Sequence, residues 1–144
     1  MGVKKHGPTR IAIIGAGVIA REHLLAFRDL ENILIVGISA PTSARSHRLA
    51  EEFDIKIICN DVKTLWEKTR ADAVVVAVPI LNTYEVCEDI FVHDWISLVE
   101  KPIGYNLAEA ATLASLASAN SHQCFIALNR RHFGSTLHLK NLLT

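Results

Sequence analysis

The sequence predicts an α/β fold with a doubly wound, parallel six-stranded sheet. Six short apolar runs rich in β-branched residues alternate with five helical stretches, the pattern of strands joined by helical crossovers. The strand runs are continuously apolar instead of alternating, which is typical of strands buried on both faces. The length of 144 residues fits one domain of the usual ~100–200 residues. We therefore expect a sheet covered by helices on both sides.

The first half of the chain supplies three strands and three helices. The runs IAIIG and ILIVGI are rich in isoleucine and valine, which favour strands, and a shorter third run follows them. A helical stretch succeeds each run. In chain order we expect a strand over 11–15, a helix over 17–30, a strand over 33–38, a helix over 44–53, a strand over 56–59 and a helix over 62–69.

The second half repeats the same alternation. The run AVVVAV is the plainest strand of the chain, and Pro79 ends it. We expect this strand over 73–78, a helix over 83–92, a strand over 96–99, an alanine-rich helix over 107–119, a strand over 124–128 and a helix-like tail over 132–144. Right-handed crossovers between parallel strands then give the doubly wound dinucleotide-binding fold.

Composition excludes several classes of partner. Lys+Arg and Asp+Glu both count 15, so the chain lacks the basic excess of a nucleic-acid or anionic-membrane binder. Cys59, Cys87 and Cys124 are odd in number and far apart, which fits neither a disulfide framework nor a metal site. No apolar run approaches the ~20 residues of a membrane span, and the polar start is not a signal peptide. We expect a cytoplasmic chain with no metal, nucleic-acid or membrane partner.

A glycine loop joins the first strand to the first helix. In the run GAGVIA, Gly15 permits a tight turn, Gly17 lets the backbone approach a pyrophosphate, and Ala20 allows close packing of helix on strand. The N–H groups of the first helical turn, at Val18 and Ile19, then face the phosphates. A glycine turn without a ligand is the alternative. The surrounding strand, helix and later βα units favour a bound dinucleotide.

The end of the second strand bears on which dinucleotide is bound. A carboxylate usually binds the adenosine ribose there, but no Asp or Glu occurs from 32 to 50. Ser39, Thr42, Ser43 and Arg45 instead offer hydroxyls and a cation that suit a 2′-phosphate. Alternatively, Thr42 or Ser43 caps the helix and Arg45 is a solvated surface residue. We expect NADP in preference to NAD.

Four segments together resemble a known family: AIIGAGVIA at 12–20, VVVAVP at 74–79, VEKPIG at 99–104, and Asn-Arg-Arg at 129–131. Their sequence and order resemble the N-terminal, NAD(P)-binding Rossmann domain of the Gfo/Idh/MocA oxidoreductases. The Glu-Lys-Pro at the end of the fifth strand is the most specific feature. The resemblance covers roughly residues 9 to 135.

The resemblance implies a longer enzyme that acts on a sugar-like or polyol secondary alcohol or ketone. Family members carry a second α/β domain that forms one wall of the substrate pocket. Residues 9–131 are then the dinucleotide-binding domain, and 132–144 begin the connection to a substrate domain absent from this chain. The chain alone is expected to bind a dinucleotide without turnover, and a homo-oligomer is compatible with the family. A non-catalytic NADP-binding regulatory or sensor domain is the alternative.

The resemblance also implies roles for the Glu-Lys-Pro residues. Lys101 would sit beside the nicotinamide and the reacting hydroxyl, which it polarises or whose proton it relays. Glu100 would support the nicotinamide ribose or orient the lysine. Pro102 would fix the turn, with a Lys-Pro bond of the kind that is sometimes cis. An ordinary strand end with a solvated ion pair is the alternative.

Further contacts are implied around the cleft. Val78 and Pro79 would line the nicotinamide or its ribose, and Asn82 would add a polar contact or cap the next helix. Arg131 would lie at the mouth of the cleft, near cofactor or substrate. His23 lies one turn beyond the glycine loop, where a packing or capping role is the favoured interpretation.

Overall fold

A six-stranded parallel sheet organises the residues that the computed structural model describes, which are 7–41 and 44–143. The strands are β1 (Thr9–Ile14), β2 (Ile33–Ser39), β3 (Ile58–Cys59), β4 (Ala73–Val76), β5 (Ile96–Val99) and β6 (Gln123–Ile126). The helices are α1 (Val18–Arg28), α2 (Ala44–Glu52), α3 (Val62–Thr69), α4 (Ile80–Ile90), α5 (Leu107–Ala119) and α6 (Gly134–Leu143). Their order along the sheet, β3-β2-β1-β4-β5-β6, confirms the predicted doubly wound fold.

The central strands β1 and β4 divide the core into two layers. Ile13 and Val75 pair in register and pack with Leu24 of α1 on one face of the sheet. Val74 points to the opposite face and packs with Leu65 of α3. All five side chains are at most 2% exposed, and burying each stabilises the fold by about 1.5–3 kcal/mol. The continuous apolar runs of β1 and β4 are therefore explained by helices on both faces.

The edge strand β6 departs from that expectation, because one of its faces is exposed. Phe125 is 60% exposed, although its register partner Leu98 on β5 is partly buried. On this face α1 and α2 pack mainly against β2, β3 and β4. An apolar run alone cannot tell an edge strand from a central one, so burial on both faces was wrong for β6.

Helix boundaries differ from the expected ones mainly at α4. This helix begins at Ile80 rather than at residue 83, because Pro79 occupies the N-cap with φ −57° and ψ 145°. Proline suits the start of a helix, since its missing N–H has no acceptor there in any case. Among the helices of the described residues, none has the length and hydropathy needed to cross a membrane.

A partly buried histidine lies at the end of the sheet where β5 and β6 begin. His122 Nδ1 lies 3.2 Å from the carbonyl oxygen of His93, and Nε2 lies 3.0 Å from Ser97 Oγ. A carbonyl only accepts, so Nδ1 donates and Nε2 accepts the Ser97 hydroxyl proton. Burial lowers the pKa of His122 and, through the same cause, the pKa of His93. The folded chain therefore takes up protons at these two rings at a lower pH than free histidine does.

We predict that this pair makes the fold sensitive to acid. The unfolded chain binds protons at these histidines near pH 6.5, whereas the folded chain binds them only at lower pH, so the free energy of unfolding falls as the pH drops below about 6.5. Thermal melts at about pH 7.5 and 5.5 should show a lower Tm at the acidic pH, and His122→Gln should reduce the difference. An equal decrease in Tm in the wild type and in His122→Gln would contradict the prediction that His122 contributes to the acid sensitivity.

Candidate functional site

A cleft opens at the carboxyl ends of β1, β2 and β4, where the strand order reverses. Doubly wound folds bind their ligands at this position. The cleft has a volume of about 490 Å³. Its walls are formed by Gly15, Ala16, Gly17, Ala40, Pro41, Arg45, Ala77, Val78, Pro79 and Asn82.

Gly15 fixes the floor of the cleft. Its φ of +113° lies in the region that favours glycine, and a Cβ there would stand 2.2 Å from the carbonyl oxygen of Ala77. Its N–H donates to the carbonyl oxygen of Ser39 at 2.7 Å. Gly15 thus joins the ends of β1, β2 and β4 at a separation that no side chain allows.

Gly17 leaves the start of α1 open. It is the N-cap, with extended backbone, and a Cβ added to it would meet nothing within 4 Å. The first turn has no acidic residue and the cap makes no side-chain hydrogen bond, while Val18 and Ile19 are exposed. The first N–H groups of a helix have no intrahelical acceptor and attract anions. This opening fits a pyrophosphate group.

The side of the cleft next to the end of β2, where the sequence predicts the adenosine, is basic. Arg45 lines the cleft and also an adjoining groove of about 520 Å³, whose wall includes Arg21 and Arg48. Arg21 Nε donates to both carboxylate oxygens of Glu52, at 3.0 and 3.1 Å. These hydrogen bonds lower the pKa of Glu52. The sequence singled out Arg45, whereas Arg21 and Arg48 come to the groove through the packing of α1 beside α2.

The hydroxyl residues expected at this side have different positions. Ser39 ends β2 and is 3% exposed, one residue before the cleft-lining Ala40. Thr42 and Ser43 lie outside the described residues. The hydroxyl contacts to a 2′-phosphate therefore remain predictions.

The opposite side of the cleft is formed by the end of β4 and the start of α4. Val78 and Pro79 line the cleft, as does Asn82 in the first turn of α4. The Asn82 N–H donates to the Pro79 carbonyl oxygen at 2.8 Å. Because Pro79 is the N-cap, the alternative that Asn82 caps the helix was wrong.

The Glu-Lys-Pro turn lies one strand further along the sheet. The Glu100 N–H donates to the carbonyl oxygen of Val76 at 2.9 Å, which fixes the turn next to the cleft-lining Ala77. Lys101 is exposed, and the expected cis bond between Lys101 and Pro102 is present. An exposed ammonium at this strand end can donate a hydrogen bond to a ligand.

The structure gives His23 a polar partner that the sequence interpretation missed. Its Nε2 lies 2.9 Å from Glu100 Oε1, so the side chain does more than pack or cap α1. The available signal was its spacing from Ala20 and Leu24, which places it on the inward face of the helix. Its partner follows 77 residues later, and only the sheet order brings the two together.

Arg131 lies in the turn that follows β6. It belongs to a 3₁₀ segment, Asn129–His132, and its side chain is exposed. Its N–H donates to the carbonyl oxygen of Leu128 at 3.2 Å. The structure does not place Arg131 among the residues that line the cleft.

Comparison with known sequences identifies the family. The profile of the Gfo/Idh/MocA family, described as an oxidoreductase family with an NAD-binding Rossmann fold, matches residues 9–128. The match spans β1 to the end of β6 and so includes the cleft and the Glu-Lys-Pro turn. No significantly similar sequence was found among curated proteins.

Solved structures share the fold. An Agrobacterium radiobacter oxidoreductase in complex with NAD+, L-tartaric acid and magnesium is 20% identical, with a TM-score of 0.87 over 94% of this chain and 40% of its own. Myo-inositol 2-dehydrogenase from Lactobacillus plantarum is 20% identical, with a TM-score of 0.86 over 94% and 41%. Scyllo-inositol dehydrogenase from Lactobacillus casei with NAD(H) and scyllo-inositol is 17% identical, with a TM-score of 0.86 over 94% and 41%. This chain thus spans about two fifths of their length.

The two loop glycines should respond differently to an added methyl group. Gly17→Ala should fold normally, since its Cβ meets open space, but should weaken NADH binding about ten-fold by obstructing a charge-assisted hydrogen bond. Gly15→Ala should lower the free energy of unfolding, because backbone strain alone costs about 1–3 kcal/mol. Thermal melts and NADH titration measure both. A folded Gly17→Ala chain that binds NADH as the wild type does would contradict the pyrophosphate position.

Proposed function

The chain belongs to the Gfo/Idh/MocA oxidoreductase family, and we propose that it forms the cofactor domain of a polyol-type dehydrogenase. The enzyme would transfer a hydride between a nicotinamide dinucleotide and a sugar-like or polyol secondary alcohol or ketone. The exposed Lys101 carries this proposal, because it follows β5, the neighbour of the strand whose end borders the cleft. Two of the similar structures are inositol dehydrogenases, and an inositol is a polyol.

The chemistry divides between cofactor and protein. When bound, the nicotinamide supplies the hydride acceptor or donor. The Lys101 ammonium has three N–H donors and no acceptor, so it hydrogen-bonds the alcohol or ketone oxygen and polarises it. The same group holds or delivers the proton at that oxygen. Val78 and Pro79 offer an apolar wall to a flat ring, and the Asn82 amide offers a polar contact to its edge.

The substrate is expected to lie between this chain and a second domain. In this proposal residues 9–131 hold the dinucleotide and residues 132–144 begin the connection. Every described residue of α6 is exposed, including the apolar Leu137 and Leu142, which favours an element that packs against something else. The length of the similar structures supports the same division.

We propose NADP as the preferred cofactor. Residues 32–50 contain no carboxylate to bind a ribose 2′-OH or to repel a 2′-phosphate. Arg45 lines the cleft beside Ala40, and Arg48 lines the adjoining groove. A guanidinium binds phosphate oxygens through two parallel hydrogen bonds, so this basic corner suits the additional phosphate of NADP.

Lys101→Met tests the catalytic role in a protein that carries this chain with its second domain. The methionine retains the bulk and removes the charge and donors, so kcat should fall by roughly 10²–10⁴. Cofactor affinity should change by no more than a few-fold, and Lys63→Met on α3 is the matched control. Steady-state kinetics with a polyol and direct cofactor titration provide both quantities. Unchanged kcat would reassign Lys101 to a structural role.

Arg45→Ala tests the cofactor preference. It should weaken NADPH binding about ten-fold and leave NADH binding nearly unchanged, because a partly exposed charge-assisted hydrogen bond is lost. Ala40→Asp should reverse the preference, since its carboxylate repels the phosphate and accepts from a 2′-OH. Arg70→Ala, which removes an arginine from beside Trp66, is the control. Equal wild-type affinity for NADPH and NADH would contradict the proposal.

A further inference from the structure

A polar contact crosses from the glycine-loop helix to the Glu-Lys-Pro turn. His23 on α1 and Glu100 after β5 meet with 2.9 Å between Nε2 and Oε1. Their side chains are only 18% and 22% exposed, so water screens the contact weakly. The contact joins α1, whose start borders the cleft, to the end of β5, which lies on the far side of β4.

The two oxygens of Glu100 have separate partners. A carboxylate accepts only, so His23 donates through Nε2–H to Oε1. The other oxygen, Oε2, accepts the backbone N–H of Lys101 at 3.2 Å. The carboxylate plane is therefore fixed from both sides, by the helix and by the main chain of the turn.

The ring of His23 is itself held in place. It stacks on Phe27, one turn further along α1, with 6.3 Å between ring centroids and 19° between planes. Ala20 and Leu24, on the same helix face, are fully buried against the sheet. A rigid donor on a buried helix face sets the position of Glu100 more sharply than a mobile surface side chain can.

We propose that His23 is a positioning residue for the reaction. Through Glu100 it fixes the main chain at Lys101, and so aims the lysine and the carboxylate at the nicotinamide half of the cofactor. The proposal rests on the proposed function of the chain as a dinucleotide-binding dehydrogenase domain. In this proposal α1 has two roles: its N-terminus binds the pyrophosphate, and His23 positions Glu100 at the end of β5.

The location of the contact separates this role from general stabilisation. Glu100 follows β5, whereas Ala40 and Arg45, at the adenosine side, follow β2 on the other side of β1. Loss of the His23 donor should therefore affect binding of the nicotinamide half and leave the adenosine half unchanged. A contact that merely stabilises the fold has no such asymmetry.

The experiment compares two substitutions of His23 in the purified chain. His23→Leu removes the donor and puts an apolar side chain in its place. His23→Gln retains an N–H donor, on its amide, near the position of Nε2. His138→Leu is the control, because it removes an exposed histidine of α6 that does not line the cleft. Two probes are titrated: the reduced dinucleotide that the wild type binds more tightly, and its adenosine half, adenosine 2′,5′-bisphosphate or ADP. Fluorescence of the bound reduced nicotinamide reports its environment directly.

His23→Leu should weaken binding of the reduced dinucleotide about ten-fold, the lower end of the effect of one charge-assisted hydrogen bond. The emission of the bound nicotinamide should change with it. Affinity for the adenosine half should stay within about two-fold. His23→Gln should recover most of the loss, and His23→Leu should add little once Glu100→Gln is present.

The outcomes distinguish this inference from the function on which it rests. A wild-type chain that binds neither probe overturns the proposed function. Normal wild-type binding with equal loss of both probes, or with no loss, in His23→Leu overturns the positioning role alone. If His23→Leu does not fold, the other two variants provide the test. A positioning role requires Glu100→Gln to weaken binding of the dinucleotide but not of its adenosine half. It also requires His23→Gln to bind the dinucleotide well.

Discussion

The site depends on the close approach of Gly15 to the carbonyl oxygen of Ala77. A side chain at position 15 would collide with that oxygen, so glycine alone lets the ends of β1 and β4 converge. The same residue donates to the end of β2, which brings a third strand end to one place. Because α1 then leaves on one face of the sheet and α4 on the other, a crevice opens between their starts. Without that approach neither helix N-terminus would border the cleft.

The polar groups at the two ends of the sheet differ in exposure and pairing. At the carboxyl end, exposed groups such as Lys101 and Arg45 remain available, and apolar side chains such as Val18 stay uncovered. At the amino end, His122 and Ser97 satisfy each other in a largely buried contact. Polar groups that are paired and desolvated stabilise a fold, whereas exposed groups around an open cleft can contact a ligand. The parallel direction of all six strands makes this division possible, because it collects every strand's carboxyl end on one side.

Local sequence was sufficient for the fold and for the glycine loop, since apolar runs and glycine positions report short-range geometry. Local sequence was insufficient where the structure depends on contacts between residues that are far apart in the chain. The apolar run of β6 does not show that its strand lies at an edge, and the Asn82 side chain does not show that Pro79 already occupies the N-cap. The contact between His23 and Glu100 depends on α1 packing across β4 toward β5, which no window of sequence contains. The geometry of the glycine loop was the easiest part of the cleft to predict, because the close approach at Gly15 requires glycine.

These relations divide cofactor binding into two parts that share one helix. In the proposed function, the N-terminus of α1 would offer its N–H groups to the pyrophosphate, an interaction that uses the backbone and does not depend on the nicotinamide. The inward face of the same helix carries His23, which contacts Glu100 at the opposite strand end. A rigid helix therefore relates the position of the phosphates to the position of Lys101. Precise placement of a reacting group costs little when the element that positions it is already fixed by the core, as Ala20 and Leu24 fix α1.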